Sequence, residues 1–319
     1  MTLLYTDPCF LEHETGRHPE NATRLKYITA RLEEQKLIER CTRPKWQPAS
    51  VEQIAAIHRR DYIGEVEKTA IRGGGQLDPD TVVSKASYEV ARQAAGAAVD
   101  AVQRVLAGED TTALCLVRPP GHHALVGKAM GFCLFNNIAV AAQHARRQGL
   151  DRVLIVDWDV HHGNGTQDIF WNDGTVGFFS IHRFPFYPGS GRASETGAGD
   201  GLGATVNVPV EFGTPREKYF DRFRSQLEAL ADKLKPQLVL ISAGFDAHRD
   251  DPIGSLGLAT EDFGELTAFV CQLAQAHCGG KVVSLLEGGY NPNRLAESVE
   301  LHLRGLLEAS EKAKGGAKD

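Results

Sequence analysis

Asp157, Asp159 and His161 stand at alternate positions directly after the apolar run Val153-Leu154-Ile155-Val156. Four apolar residues in a row, rich in β-branched types, predict a strand covered on both faces, and Gly163-Asn164-Gly165 predicts the turn that ends it. Side chains two apart in an extended segment point the same way. The three groups therefore converge at the strand's C-terminal end, where open α/β sheets place their ligands. Two carboxylates brought together repel unless a proton or a cation lies between them. A lone Asp or His near a strand end is ordinarily a cap or a solvated loop residue, but this alternation predicts a bound metal ion.

A hydrolytic metal site holds its ion through three protein ligands and keeps one position open. Asp246 is the best candidate for the third, because it too follows an apolar run, through Ala243-Gly244-Phe245. His122 and His123 follow the stiff lead Arg118-Pro119-Pro120-Gly121. Adjacent imidazoles can divide their labour: a neighbouring carboxylate raises the pKa of one and leaves the other near neutrality, where a general base works. Tyr290, after Gly288 and Gly289, could present its hydroxyl to a developing oxyanion.

The elements that must position these groups alternate between strand and helix, which is the α/β signature. The pattern predicts strands at Ala113–Val117, Val153–Val156, Val176–Ile181, Val206–Val210, Leu238–Ser242 and Val282–Leu286. It predicts helices at Ala22–Gln35, Tyr88–Leu106, Asn137–Arg147, Arg216–Leu234, Glu261–His277 and Arg294–Leu307. Polar clusters fall just after five of these strands, so a parallel sheet would gather them along one edge.

The 319 residues read as one α/β domain over 1–308, with a charged, glycine-bearing tail at 309–319 expected to be disordered. A net charge of −6 argues against direct nucleic-acid binding. The six cysteines are scattered with no Cys-x-x-Cys pair, so reduced thiols in the cytoplasm are expected, with no disulfide framework and no thiolate zinc site. No basic leader opens the chain and no apolar stretch reaches the ~20 residues of a membrane span, so no membrane association is expected. Nothing in the sequence sets an oligomeric state.

Five motifs together resemble the zinc-dependent histone deacetylase superfamily. They are Arg118-Pro119-Pro120-Gly121-His122-His123-Ala124, Gly131-Phe132-Cys133-Leu134-Phe135-Asn136-Asn137, the stretch from Asp157 to Gln167, Ser242 to His248, and Glu287-Gly288-Gly289-Tyr290. They come in the family's order, nearest in wording to class II deacetylases and bacterial deacetylase-like amidohydrolases. The resemblance implies an arginase-like three-layer α/β/α fold with a mainly parallel sheet of about eight strands.

It further implies one catalytic Zn²⁺ on Asp159, His161 and Asp246, and His123 as the base that takes the attacking water's proton. His122 beside Asp157 becomes the more cationic partner, and Tyr290 the oxyanion donor. Asn164 stands where class I enzymes carry an aspartate behind the base. Phe132 and Tyr187 match the aromatic walls of an acyl-lysine tunnel, with Gly131, Gly288 and Gly289 along the substrate's path. A structural K⁺ is implied near Asp157, Asp159, His161, Ser180 and Ile181. Arg24 matches an arginine of an internal acetate channel, with a solvated helix charge as the alternative reading.

The expected activity is hydrolysis of an acyl-lysine amide on a protein or peptide, with an acetylpolyamine or another small acyl-amine as the alternative. Polyamine-selective relatives carry a glutamate where Ile253 follows Asp251-Pro252 here, and an apolar residue offers no anchor for a second ammonium. A non-catalytic acyl-lysine binder would lack a catalytic group, and an arginase-type enzyme would need ligands for two manganese ions. Neither pattern is present. Two carboxylates and one imidazole would also accept Fe²⁺ or Co²⁺.

Overall fold

The computed structural model describes residues 1–315. The strands, in chain order, begin with β1 (Thr2–Tyr5), β2 (Cys41–Thr42), β3 (Gly74–Asp78), β4 (Thr81–Ser84) and β5 (Thr112–Cys115). They continue with β6 (Val153–Asp157), β7 (Val176–Arg183), β8 (Thr205–Val210), β9 (Leu238–Ala243) and β10 (Val282–Leu286). β3 and β4 pair antiparallel as a separate hairpin, while the other eight form one sheet in the order β2-β1-β5-β10-β9-β6-β7-β8. Every pairing in that sheet is parallel.

The helices are α1 (Thr23–Glu34), α2 (Val51–Ile54), α3 (Arg60–Ile71), α4 (Ser87–Leu106) and α5 (Asn137–Arg147). After these come α6 (Asn164–Phe170), α7 (Arg216–Leu234), α8 (Thr260–Cys278) and α9 (Pro292–Gly315). α1, α7, α8 and α9 pack in one connected group, and α4 with α5 packs in another, each also touching strands of the sheet. The result is the three-layer α/β/α arrangement expected from the motifs. It also accounts for β5, β6, β9 and β10 being buried at every residue: both of their faces are covered.

Local chemistry sets the ends. Asn136 caps α5 by accepting the Ala139 N–H at 3.0 Å. Asp262 accepts the Ala259 N–H at 2.7 Å at the start of α8, and Gly279 closes that helix in the left-handed region at φ 63°.

All six expected strands and all six expected helices are present, with every end within two residues of the expected one except that of α9, which runs eight residues further. Not anticipated were β1, β2, the β3–β4 hairpin, α2, α3 and α6. The tail expectation needs correction over 309–315. There α9 simply continues, because Ser310 is buried and hydrogen-bonds Asp110 and the Met1 backbone, tying the helix to the start of the chain. Residues 316–319 of that expectation lie outside the described ones. No helix among the described residues is long and apolar enough to cross a membrane.

Candidate metal centre

Four strands that are neighbours in the sheet, β5, β10, β9 and β6, deliver the site from their C-terminal ends. The chain leaving β5 brings His122 and His123, β10 brings Glu287 to Tyr290, β9 brings Asp246, and β6 brings Asp157, Asp159 and His161. Strand order could not be read locally. Once it is known, the meeting of these loops is a consequence of the parallel sheet.

Ligand atoms of Asp159, His161 and Asp246 lie within 4.8 Å of one another, and all three residues are buried. Among the described residues this is the one cluster of His, Cys, Asp or Glu placed to hold a metal ion. Backbone donors fix it from below. Asp159 accepts the N–H of His161 at 2.9 Å and of Gly288 at 2.8 Å, while Asp246 Oδ1 accepts the Val160 N–H at 2.9 Å. Asp246 Oδ2 is left without a hydrogen bond although His161 Nδ1 is only 3.1 Å away.

Burial, then the Asp159 charge, raises the Asp246 carboxyl above the carboxylate range. Burial works against a charge on His161, yet the carboxylates of Asp159 and Asp246 overcome it and push the imidazole up to about 10. An orphaned buried carboxylate oxygen and an imidazole drawn to keep a proton between two acids both mark a place for positive charge. A divalent cation fits it, with two oxygen donors and one nitrogen. Gly288 makes the room: a Cβ there would stand 2.2 Å from Asp246 Oδ2 and 2.5 Å from Asp159 Oδ2.

The two histidines occupy different electrostatic worlds. His122 Nδ1 lies 2.9 Å from Asp157 Oδ2. Burial alone would discharge it, but Asp157, Asp159 and Glu287 outweigh that and raise it to about 10. His123 goes the other way, well below its ordinary value, through burial and then the repulsion of His122 and His161. Its Nδ1 is 2.7 Å from Asn164 Oδ1, an acceptor, so the ring proton sits on Nδ1 and Nε2 keeps its lone pair. The pair thus holds one fixed cation and one free base.

Aromatic rings surround the base and the ligands. Tyr187 packs edge-on to His123 at 5.2 Å and to His161 at 6.0 Å, and Phe132 packs edge-on to Tyr290 at 5.8 Å. Burial, then Asp246, raises the Tyr290 hydroxyl well above its ordinary value, so it stays a proton donor. Phe132 has φ +71°, a region that a bulky residue enters only when held. It is held by the β3–β4 turn. Thr81 Oγ1 accepts the Phe132 N–H at 3.1 Å, and Asp80 Oδ1 accepts both the Thr81 hydroxyl at 2.8 Å and the Gly131 N–H at 3.2 Å. Gly131 lies against the base itself, since a Cβ there would be 2.3 Å from His123 Cδ2.

Several residues that shape the site carried no separate signal. Glu287 accepts the N–H groups of Gly121 at 2.7 Å and His122 at 3.2 Å and the Ser242 hydroxyl at 3.1 Å, which fixes the histidine loop to β9 and β10. Asp251 accepts the N–H of Ile253 and Gly254, each at 2.9 Å, with one oxygen and that of Tyr290 at 2.7 Å with the other. Ile253 and Tyr290 are therefore placed by one carboxylate. Glu287 opens the Glu-Gly-Gly-Tyr motif and Asp251 lies just beyond His248, and that proximity is the only cue the sequence offers for either acid.

Arg24 is 1% exposed, which removes the reading of a solvated helix charge. Its Nε donates to Gly289 O at 2.7 Å, Nη1 to Glu20 at 3.2 Å and Nη2 to Glu287 O, and its guanidinium lies 5.1 Å over the Tyr290 ring. It is a strut beneath Tyr290. Of the residues matched to a potassium site, Asp157 and Ser180 are paired across β6 and β7, and Ser180 Oγ lies 2.9 Å from His182 Nδ1. Asp157 Oδ1 accepts the Asp159 N–H at 3.1 Å.

Comparison with known proteins agrees with this geometry. The histone deacetylase domain family matches residues 18–306. A probable deacetylase of Archaeoglobus fulgidus is 40% identical over 285 residues, covering 88% of this chain and 79% of the relative. The polyamine deacetylase HDAC10 of Homo sapiens is 41% identical over 320 residues, 96% of this chain and 46% of that protein. The crystal structure of the HDA15 HD domain superposes with a TM-score of 0.92 at 36% identity, covering 98% of this chain and 91% of that one. The parallel sheet, the buried triad at its edge and the family match agree: this chain belongs to the histone deacetylase family, on the arginase/deacetylase-like fold.

Proposed function

We propose that the chain is a zinc-dependent deacylase that hydrolyses the amide of N-acetyl-lysine or a related acyl-lysine side chain. One observation carries this reading: the buried Asp159–His161–Asp246 cluster lies in ring contact with a neutral histidine, His123, and with the aromatic Tyr187. A divalent ion held by those three residues would supply Lewis-acid polarisation of the acyl carbonyl and acidify a water beside it.

The chain's own groups do the rest. His123 Nε2 receives the water's proton and returns it to the leaving amine. The Tyr290 hydroxyl donates to the oxyanion as the carbonyl carbon becomes tetrahedral. His122, held cationic by Asp157, keeps positive charge next to the reacting centre without competing for the proton. Phe132 and Tyr187 flank the aliphatic stem of the side chain, and Gly131, Gly288 and Gly289 let backbone approach it closely.

The test is metal-depleted protein reconstituted with Zn²⁺, Fe²⁺ or Co²⁺ and assayed on acyl-lysine peptides and acetylpolyamines. Zinc-supported cleavage of acetyl-lysine is the expected result; no hydrolysis with any ion would sink the hydrolase reading. The similarity to a polyamine deacetylase favours one rival substrate. Ile253 argues against it, so acetylspermidine should be the poorer substrate by kcat/KM, and the reverse ranking would transfer the assignment to polyamines.

Two variants probe the roles. Tyr290→Phe should lower kcat by about 10²–10³-fold, the usual cost of one oxyanion donor, with little change in KM. Equal kcat would show that the hydroxyl does not touch the oxyanion. Thr81→Val keeps the side chain's shape but deletes the acceptor that holds Phe132. It should raise KM for an acetyl-lysine peptide by about five-fold, the worth of one hydrogen bond, with kcat nearly intact. Thr81→Ser should behave as wild type, and a serine variant as impaired as the valine variant would refute the role of the hydrogen bond.

A further inference from the structure

A column of stacked groups runs outward from His161. The Phe186 ring lies nearly parallel to the His161 ring, 5.2 Å away at 17°. The Arg183 guanidinium carbon lies 4.2 Å from the Phe186 centroid and 4.7 Å from that of Phe212. Phe212, between β8 and α7, is 65% exposed, and its ring lies against the arginine.

Arg183 ends β7, and its N–H donates to the carbonyl of Val160, between two of the candidate metal ligands, at 2.8 Å. Its Nη1 donates to Gly254 O at 2.9 Å, one residue beyond Ile253. The guanidinium has no carboxylate partner among the described residues, and its side chain is half-buried. A guanidinium that stacks on rings and rests one N–H on a carbonyl still has in-plane donors to offer. That edge is the fork that pairs with a carboxylate, and its position is already fixed, so little rotamer freedom remains to be lost on binding.

We propose that Arg183, with Phe186 and Phe212, forms a subsite for an acidic residue close in sequence to the acyl-lysine. This rests on the acyl-lysine reading and sharpens it: the substrate class is an acyl-lysine in an acidic context. A fixed cation on the Gly254 carbonyl, one residue beyond Ile253, also repels the second ammonium of a polyamine, so charge adds to the missing anchor in rejecting that ligand.

The experiment compares kcat/KM for acetyl-lysine peptides that differ only in carrying Glu, Gln or Lys, scanned over the two positions on either side of the acetyl-lysine. Wild-type, Arg183→Gln and Arg183→Glu enzymes are assayed at low and high salt. Wild type should prefer Glu over Gln by about five-fold at one position or more, mainly through KM, and salt should weaken the preference. Arg183→Gln should abolish the ratio and Arg183→Glu should invert it in favour of Lys. Because the ratio is read within each variant, any general loss caused by disturbing the Phe186 stack cancels. Cleavage without a charge preference in wild type, or a preference that survives Arg183→Gln, overturns the subsite alone. Absence of cleavage of every peptide overturns the acyl-lysine reading, and the subsite with it.

Discussion

His123→Ala is expected to lower kcat by about 10²–10⁴-fold, the range that a positioned general base contributes, while bound metal stays at wild-type stoichiometry. The size of the loss follows from the lack of a substitute. The nearest imidazole, His122, is kept protonated through its 2.9 Å contact with Asp157 and the further charges of Asp159 and Glu287, so it has no lone pair to lend. Asn164, which hydrogen-bonds the His123 ring, is an amide and cannot take a proton. Kinetics and metal analysis of the purified variant separate the outcomes. Loss of activity with metal retained supports the base. Loss of both would mean that the His123 ring maintains the ligand cluster, and activity within ten-fold of wild type would require a different base. His122→Ala adds a second comparison: if it costs more than His123→Ala, the two roles are exchanged.

The different partners of the two histidines were not a local pattern: Asp157 lies 35 residues from His122 and Asn164 lies 41 from His123, so only the family resemblance paired them. Two of the candidate ligands, Asp159 and His161, did carry a local signal, since acids that alternate after a buried strand repel one another until a cation joins them. Fully buried parallel strands were legible for a related reason: an element covered on both faces must be apolar throughout. The hairpin carrying Thr81 was not, because β3 opens on Gly74-Gly75 and its turn holds Pro79, and nothing local says that this turn reaches Phe132 some fifty residues later. β1 and β2 are short, with four and two residues, and lie towards one edge of the sheet. Arg24 shows the limit most clearly. On a helical wheel it is an ordinary charged residue, and only the fold reveals that its neighbours are Glu20, two backbone carbonyls and Tyr290 rather than water.

Glu20→Ala is expected to destabilise the fold by about 3–5 kcal/mol, because it strands two buried cations. Arg118 donates to both oxygens of Glu20, and Arg24 adds a third hydrogen bond; all three residues are almost fully buried. Burial alone would raise the Glu20 carboxyl, but Arg118, then His13 and Arg24, hold it at about 2 instead of 4.5. A carboxyl depressed in the folded state contributes stability that is fully present above its unfolded value and is lost as pH falls towards the folded one. The gap in unfolding free energy between wild type and Glu20→Gln should therefore be roughly 3 kcal/mol and constant above about pH 5, then narrow between 4.5 and 2. Urea titrations across that window measure it, and a gap independent of pH would mean that the carboxylate's charge is not what stabilises the pair. The consequence extends to catalysis. Arg24 spends its other donors on the carbonyls of Glu287 and Gly289, on either side of Gly288 and immediately before Tyr290. Freeing it from Glu20 would loosen the segment that carries Tyr290, the proposed oxyanion donor. kcat measured well below the variant's unfolding transition should then fall along with stability; an unchanged kcat would confine the network to holding the fold and leave Tyr290 positioned by Asp251 alone.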